Sequence, residues 1–119
     1  MAKVLQRLPD EHVDTYFVPL ATKLATNDWY TSRASATCLL HLAYGRVKDS
    51  QRQYFKDLFV KLCSDDTPTV RKLGAFNFTL FCYEIISVDG RIPQEFIRIF
   101  TMLSSDDQVW YRYCIYEYI

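Results

Sequence analysis

Apolar positions in this chain recur three and four residues apart, and the sets themselves then recur. Val13, Phe17, Leu20 and Leu24 have the spacing of one face of an amphipathic helix, predicting a helix over roughly 10–25. Phe55, Leu58 and Leu62 repeat Phe17, Leu20 and Leu24 after 38 residues, and Phe96, Ile99 and Leu103 repeat them again after a further 41. A period near 40 with helical spacing inside it predicts stacked helix pairs, each burying its apolar face against its neighbours.

Punctuation between these runs sets the expected boundaries. Pro19 lacks a backbone donor but the apolar pattern continues past it, so a bend is expected rather than a break. The polar turn Thr26-Asn27-Asp28 leads to a second helix over about 30–44, with Gly45 as its expected stop. Ser50 is the expected N-cap of the second unit, Ser64-Asp65-Asp66 its turn, and Thr67-Pro68 the start of a helix to about 86. Asp89-Gly90 marks the next loop, Pro93 opens the third unit, and Ser104 to Asp107 form the turn before a last helix from about Gln108. The architecture expected is all-α, an α-α superhelix of about three helix-pair repeats (9–46, 50–88 and 92–119), the last truncated. The whole chain, 1–119, forms one array.

Polar residues keep the same period. Asp28, Asp66 and Asp107 fall in the turns, and Arg33, Arg71 and Arg112 follow each by five residues. A carboxylate at a helix start accepts orphan N–H groups, and an arginine fork can reach it within a unit or across to the next. The reading is a structural Asp/Arg ladder. Trp29 and Tyr30 stand where the later turns carry Thr67-Pro68 and Gln108-Val109, and aromatics in a polar turn suit a protein partner. Lys72 beside Arg71 adds a positive spot next to Asp65-Asp66.

Composition narrows the function. Half the residues are hydrophobic, so a disordered chain is excluded, and fourteen basic residues balance fourteen acidic ones. That balance argues against nucleic acid or an anionic membrane as partner, and no stretch is long and apolar enough to span a bilayer. Met1, Lys3 and Arg7 are not followed by the apolar run of a secretory signal. Cys38, Cys63, Cys82 and Cys114 are far apart in apolar surroundings and are expected to be buried reduced thiols, which suits the cytoplasm or nucleus. Asn77-Phe78-Thr79 matches a glycosylation pattern by letters alone. His12 is expected in solvent and His41 satisfied within the helix packing. Nothing converges on a reaction: catalytic, metal and cofactor residues are all expected to be absent, and Asp65-Asp66 is read as helix capping.

With the loops laid out, the chain resembles the scaffold (A) subunit family of protein phosphatase 2A, whose members are arrays of HEAT repeats. The resemblance is carried by Phe17-Val18-Pro19-Leu20, Asp28-Trp29-Tyr30-Thr31-Ser32-Arg33, Arg52-Gln53-Tyr54-Phe55, and the run from Leu62 to Lys72. It covers roughly residues 8–112. It implies a non-catalytic scaffold whose intra-repeat loops bind interchangeable regulatory subunits. On this chain that face would be Trp29, Tyr30, Thr31, Ser32 and Arg33, then Asp65, Asp66, Thr67, Pro68, Arg71 and Lys72. The repeats that hold the catalytic subunit lie elsewhere in the family, so contact with it is not expected from this segment.

The family pattern is left behind after Lys72. Phe76, Phe78, Phe81 and Tyr83, then Trp110, Tyr111, Tyr113, Tyr116 and Tyr118, replace small and charged residues, and added bulk at a packed interface commonly costs ~1–3 kcal/mol unless neighbours change with it. The aromatic end, without a polar capping repeat, is expected to favour self-association. The chain reads as an excerpt of a longer array or a short divergent paralogue. The competing readings are a generic HEAT-repeat adaptor in transport or complex assembly, and a scaffold fragment without function.

Overall fold

The computed structural model describes Arg7 and residues 9–106. Asp107, Arg112, Cys114, the helix expected from Gln108 and the aromatic end lie outside the described residues. Within them the chain forms helices and no strands. Helix α1 covers residues 10–25, α2 Tyr30–Ala43, α3 Asp49–Cys63, α4 Pro68–Asp89 and α5 Gln94–Ser104. Helix α1 pairs with α2 and α3 with α4, while α2 lies along α4 and α3 touches both α1 and α5. The result is two layers, α1, α3 and α5 in one, α2 and α4 in the other.

The apolar sets read from the sequence form the seam between the layers. Phe17, Phe55, Leu58, Leu62, Phe96, Ile99 and Leu103 are all buried. Phe78 and Phe81, which depart from the family pattern, are core residues. Phe81 packs on Tyr44, Phe59 and Phe96 with ring centroids 5.3, 4.6 and 5.5 Å away, and Phe78 meets Phe96 and Phe100 at 5.9 and 6.0 Å. Phe76 and Tyr83, from the same set, lie on the exposed side of α4.

Helix α3 approaches α4 closely at Gly74. A methyl group there would stand 3.0 Å from the Cys63 Sγ, tighter than side chains tolerate without a shift.

Pro19 is accommodated upstream of itself. Residues Val13–Phe17 form a π turn between two α-helical stretches, with the Val18 N–H donating to the Val13 carbonyl. A proline ring presses on the carbonyl four residues before it, here Thr15, and the wider turn relieves that contact.

Several boundaries differ from expectation. Gly90, at φ +82°, is the only described residue in the left-handed region, so Gly45 is no left-handed stop. Instead α2 tightens into a 3-10 turn, Tyr44–Arg46. Helix α4 continues beyond 86 to Asp89, where the Gly90 N–H closes on the Ile86 carbonyl at 2.9 Å. Ser50 lies inside α3, two residues beyond the actual N-cap Lys48, and Pro93 lies just outside α5, one residue from its expected place.

The thiols divide. Cys63 and Cys82 are buried, and burial raises both, Cys82 to about 12. Cys38, expected inside, is exposed, because Ser35 and Leu42 one turn either side share its outward face.

The α2–α4 seam holds the buried polar residues Thr37, His41 and Asn77. Asn77 Nδ2 donates to Thr37 Oγ1 at 3.2 Å and to the Leu73 carbonyl at 2.9 Å, and Thr37 donates to the Ala34 carbonyl at 2.7 Å. His41, expected to be satisfied, keeps a buried Nε2 with no hydrogen-bond partner among the described residues. Burial lowers its pKa, with Asn77 opposing. His12 is exposed, as read from the sequence.

Candidate protein-binding edge at the intra-repeat turns

Three turns line one edge of the molecule: Thr26 to Trp29, Ser64 to Thr67, and Ser105 with Asp106. Each of the first two is organised by an acceptor two residues before the residue that caps its helix. Asn27 Oδ1 takes the Trp29 N–H at 2.8 Å, and Asp65 Oδ1 takes the Thr67 N–H at 2.9 Å. The arginine five residues beyond the turn's aspartate then folds back. Arg33 Nη1 donates to the Asn27 and Asp28 carbonyls at 2.9 and 2.8 Å, and Arg71 Nη1 donates to those of Asp65 and Asp66 at 2.7 and 3.1 Å.

The remaining face of each guanidinium crosses to the next unit. Arg33 Nε and Nη2 donate to the two Asp65 oxygens at 2.7 and 3.2 Å, and Nη2 also reaches Thr67 Oγ1 at 3.1 Å. Arg71 Nε meets Asp106 Oδ2 at 3.3 Å. These ion pairs are mostly shielded, with side-chain exposures of 18 and 12% for Arg33 and Asp65. Burial alone would raise the Asp65 pKa, but hydrogen bonds from Arg33 and the Thr67 N–H bring it below its ordinary value. Arg33 is shifted up, chiefly by its hydrogen bond to Asp65.

Among the described residues the carboxylates that cross between units are Asp65, where the sequence reading named Asp66, and Asp106, whose neighbour Asp107 lies outside them. Asp28 and Asp66 serve through their backbone carbonyls, while the side chain that orders each turn belongs to the residue before them, which accepts the N–H two residues on. The doublets Asn27-Asp28, Asp65-Asp66 and Asp106-Asp107 hide this register, since only the second member is aspartate in all three. Thr67 flanks α4 as expected, yet its hydroxyl makes no cap and accepts from Arg33 instead.

With both arginines committed inward, the outer surface of the edge falls to other residues. Trp29 is 66% exposed and Tyr30 42%, their rings stacked with centroids 6.2 Å apart. Thr31, Asp66 and Pro68 are exposed, while Ser32, Thr67 and Lys72 are half-buried. Behind Tyr30 a shallow groove of about 370 Å³ runs between α2 and α4, floored by Ala34, Thr37 and Asn77. No group of metal-ligating side chains is found among the described residues. No described helix is long and apolar enough to cross a membrane.

Helix pairs stacked in two layers and tied through their turns by cross-unit Arg–Asp pairs define an α-α superhelix of the HEAT type. No protein-family model matches the chain. It is 40% identical over 111 residues to the A-type regulatory subunit of protein phosphatase PP2A from Schizosaccharomyces pombe, a match covering 89% of this chain and 18% of that protein. It is 37% identical over 90 residues to the beta isoform of the human 65 kDa A-type regulatory subunit of serine/threonine-protein phosphatase 2A, covering 72% of this chain and 15% of that one. It is also 33% identical over 85 residues to the protein phosphatase 2A scaffold subunit of Dictyostelium discoideum, covering 71% and 15%. The chain is a homologue of the protein phosphatase 2A scaffold (A) subunits, and spans less than a fifth of the length of the curated relatives it matches. Those relatives are regulatory or scaffold subunits, not catalytic ones.

Proposed function

We propose that this chain is a non-catalytic scaffold element of the protein phosphatase 2A type, which binds regulatory subunits through its intra-repeat turns. The supporting observation is the exposed, stacked Trp29–Tyr30 pair on an edge whose arginines are turned inward. A rigid aromatic pair beside a fixed backbone is the kind of anchor that dominates protein interfaces. In this reading Arg33 and Arg71 shape the edge. Trp29, Tyr30, Thr31, Ser32, Asp65, Asp66, Thr67, Pro68 and Lys72 form the contact region. The same reading places the chain in the cytoplasm, with a nuclear pool, as part of a phosphatase 2A complex, and assigns no contact with the catalytic subunit to this segment.

The test is surface immobilisation of the chain and titration with purified phosphatase 2A regulatory subunits. Saturable binding by the parent, weakened roughly tenfold or more in a Trp29→Ala/Pro68→Ala double variant, is the expected result. A folded parent that binds none of them, or a double variant that binds as well as the parent, overturns the proposal.

A further inference from the structure

The edge opposite the turns carries a second feature, unrelated to the regulatory-subunit reading. A cleft of about 770 Å³ opens between the first turns of α3 and the link joining α4 to α5. Three cationic side chains line it: Arg52 and Lys56 from α3, and Arg91 from the link.

Its two carboxylates are already engaged. Asp49 Oδ1 takes Arg52 Nη1 at 2.6 Å. Asp89 accepts the Tyr44 hydroxyl and stands 3.6 Å from Lys56 Nζ. Donors are left over on every side. Arg91 is exposed, with no ion pair or hydrogen bond among the described residues. The Arg52 Nε is buried without an acceptor among the described residues. Gln94, the first residue of the eleven-residue helix α5, also lines the cleft, and no side chain caps that helix. The Gln94 and Glu95 N–H groups at its start remain open among the described residues, while the Glu95 carboxylate in the same turn lies 3.4 Å from Gln53 Nε2 and the Phe96 N–H is taken by the Pro93 carbonyl.

We propose that this cleft binds a phosphoryl group, held between Arg91, Arg52 and the first turn of α5. Three cations facing two spent carboxylates leave room for added negative charge. A phosphoryl group brings nearly two charges and three strong acceptor oxygens, enough to engage an arginine fork and helix N–H groups together. A single carboxylate brings half of that. The group can arrive on a phosphorylated side chain of a protein partner or as free phosphate.

The experiment is a titration of the isotopically labelled chain with inorganic phosphate, following the backbone amide signals of Gln94 and Glu95. Ionic strength is held near about 0.15 M with chloride, so that general screening stays constant. A phosphoserine peptide forms the second arm and its unphosphorylated form the control. We expect saturable shifts, weakened roughly tenfold or more in Arg91→Ala and by less in Arg91→Lys. Arg91 is exposed, so both variants are expected to keep the parent's far-ultraviolet circular dichroism. Tighter binding of the phosphopeptide than of phosphate identifies a peptide-borne group, and equal binding identifies the free anion. Linear, non-saturating shifts, or an Arg91→Ala variant that binds as the parent does, overturn the proposal.

Discussion

Arg33 holds Asp65, 32 residues away, by two hydrogen bonds of 2.7 and 3.2 Å, while its remaining nitrogen holds the carbonyls of its own turn. One guanidinium thus fixes the shape of its own turn and its distance from the next. A lysine, with a single nitrogen, cannot make both sets of bonds.

Asp65→Asn isolates the charge in that pair. Asn27 shows that an amide oxygen can order the same turn, so the substitution removes the ion pair and keeps the turn. The pair is shielded but close to the surface, and solvent screening limits the expected loss to about 1 kcal/mol. The folded-state pKa of Asp65 lies below 3.8, so its stabilisation is complete above that value and is lost as pH falls through the folded value. Urea unfolding at neutral pH and at acid pH is the check. The parent and Asp65→Asn should differ at neutral pH and converge in acid.

His41 acts in the same direction as Asp65, but at higher pH. Its folded pKa is below 6.5, because burial disfavours the imidazolium. The unfolded chain therefore takes up this proton first as pH falls. Stability should be full above 6.5 and should decline as pH drops from there toward the folded value. His41→Gln should flatten that slope between about pH 7.5 and 5.5. An unchanged slope in chemical denaturation would mean that His41 is not the group responsible.

Gly74→Ala should destabilise the α3–α4 pair. The added methyl meets Cys63 Sγ at 3.0 Å, and overpacking of this kind costs about 1–3 kcal/mol, against which the better helix propensity of alanine returns about 1 kcal/mol. Replacing the sulfur as well, in Gly74→Ala/Cys63→Ala, should recover part of the loss, because the two sites share one contact. Melting curves of the two single variants and the double variant measure that coupling.

Trp29→Ala should separate binding from folding. The ring lies on the surface, and substitutions at such positions usually change stability by no more than about 0.5 kcal/mol. A melting temperature close to the parent's, together with the loss of regulatory-subunit binding described above, is the expected combination. A large fall in melting temperature would make the residue structural.

How much of this was legible in the sequence depends on whether the signal was periodic. The buried stripe from Phe17 through Leu103 was readable because helical packing repeats, and Pro68 marked the start of α4 because its missing donor suits that position. The ladder was legible in its residue types, but not that Arg33 takes Asp65 rather than Asp66, since a one-residue shift within an Asp doublet leaves no trace in spacing. Thr67 looked like a cap until a second arginine contact claimed its hydroxyl. Cys38 looked buried because its neighbours in sequence are apolar, whereas its neighbours on the helix face are Ser35 and Leu42, both exposed. The Tyr44–Asp89 bond and the cleft beside it join residues 45 apart with no periodic cue at all.

The π turn ahead of Pro19 has a consequence for the length of the chain. Val13, Phe17, Ala21 and Ala25 are all buried at a constant spacing of four, a spacing that would drift around an ideal α-helix. The wide turn absorbs the part of that drift that falls between Val13 and Phe17, by carrying one residue more than the ordinary helical path needs. Loss of a single residue between 13 and 18 would let the segment tighten into ordinary helix while everything after it kept its orientation, at the cost of restoring the contact between the Pro19 ring and the carbonyl four residues before it. A deletion almost anywhere else in the described helices would rotate the buried face by about 100°. The first helix thus contains a reserve of slack, and among the described helices it is where the array can change length while keeping its buried face.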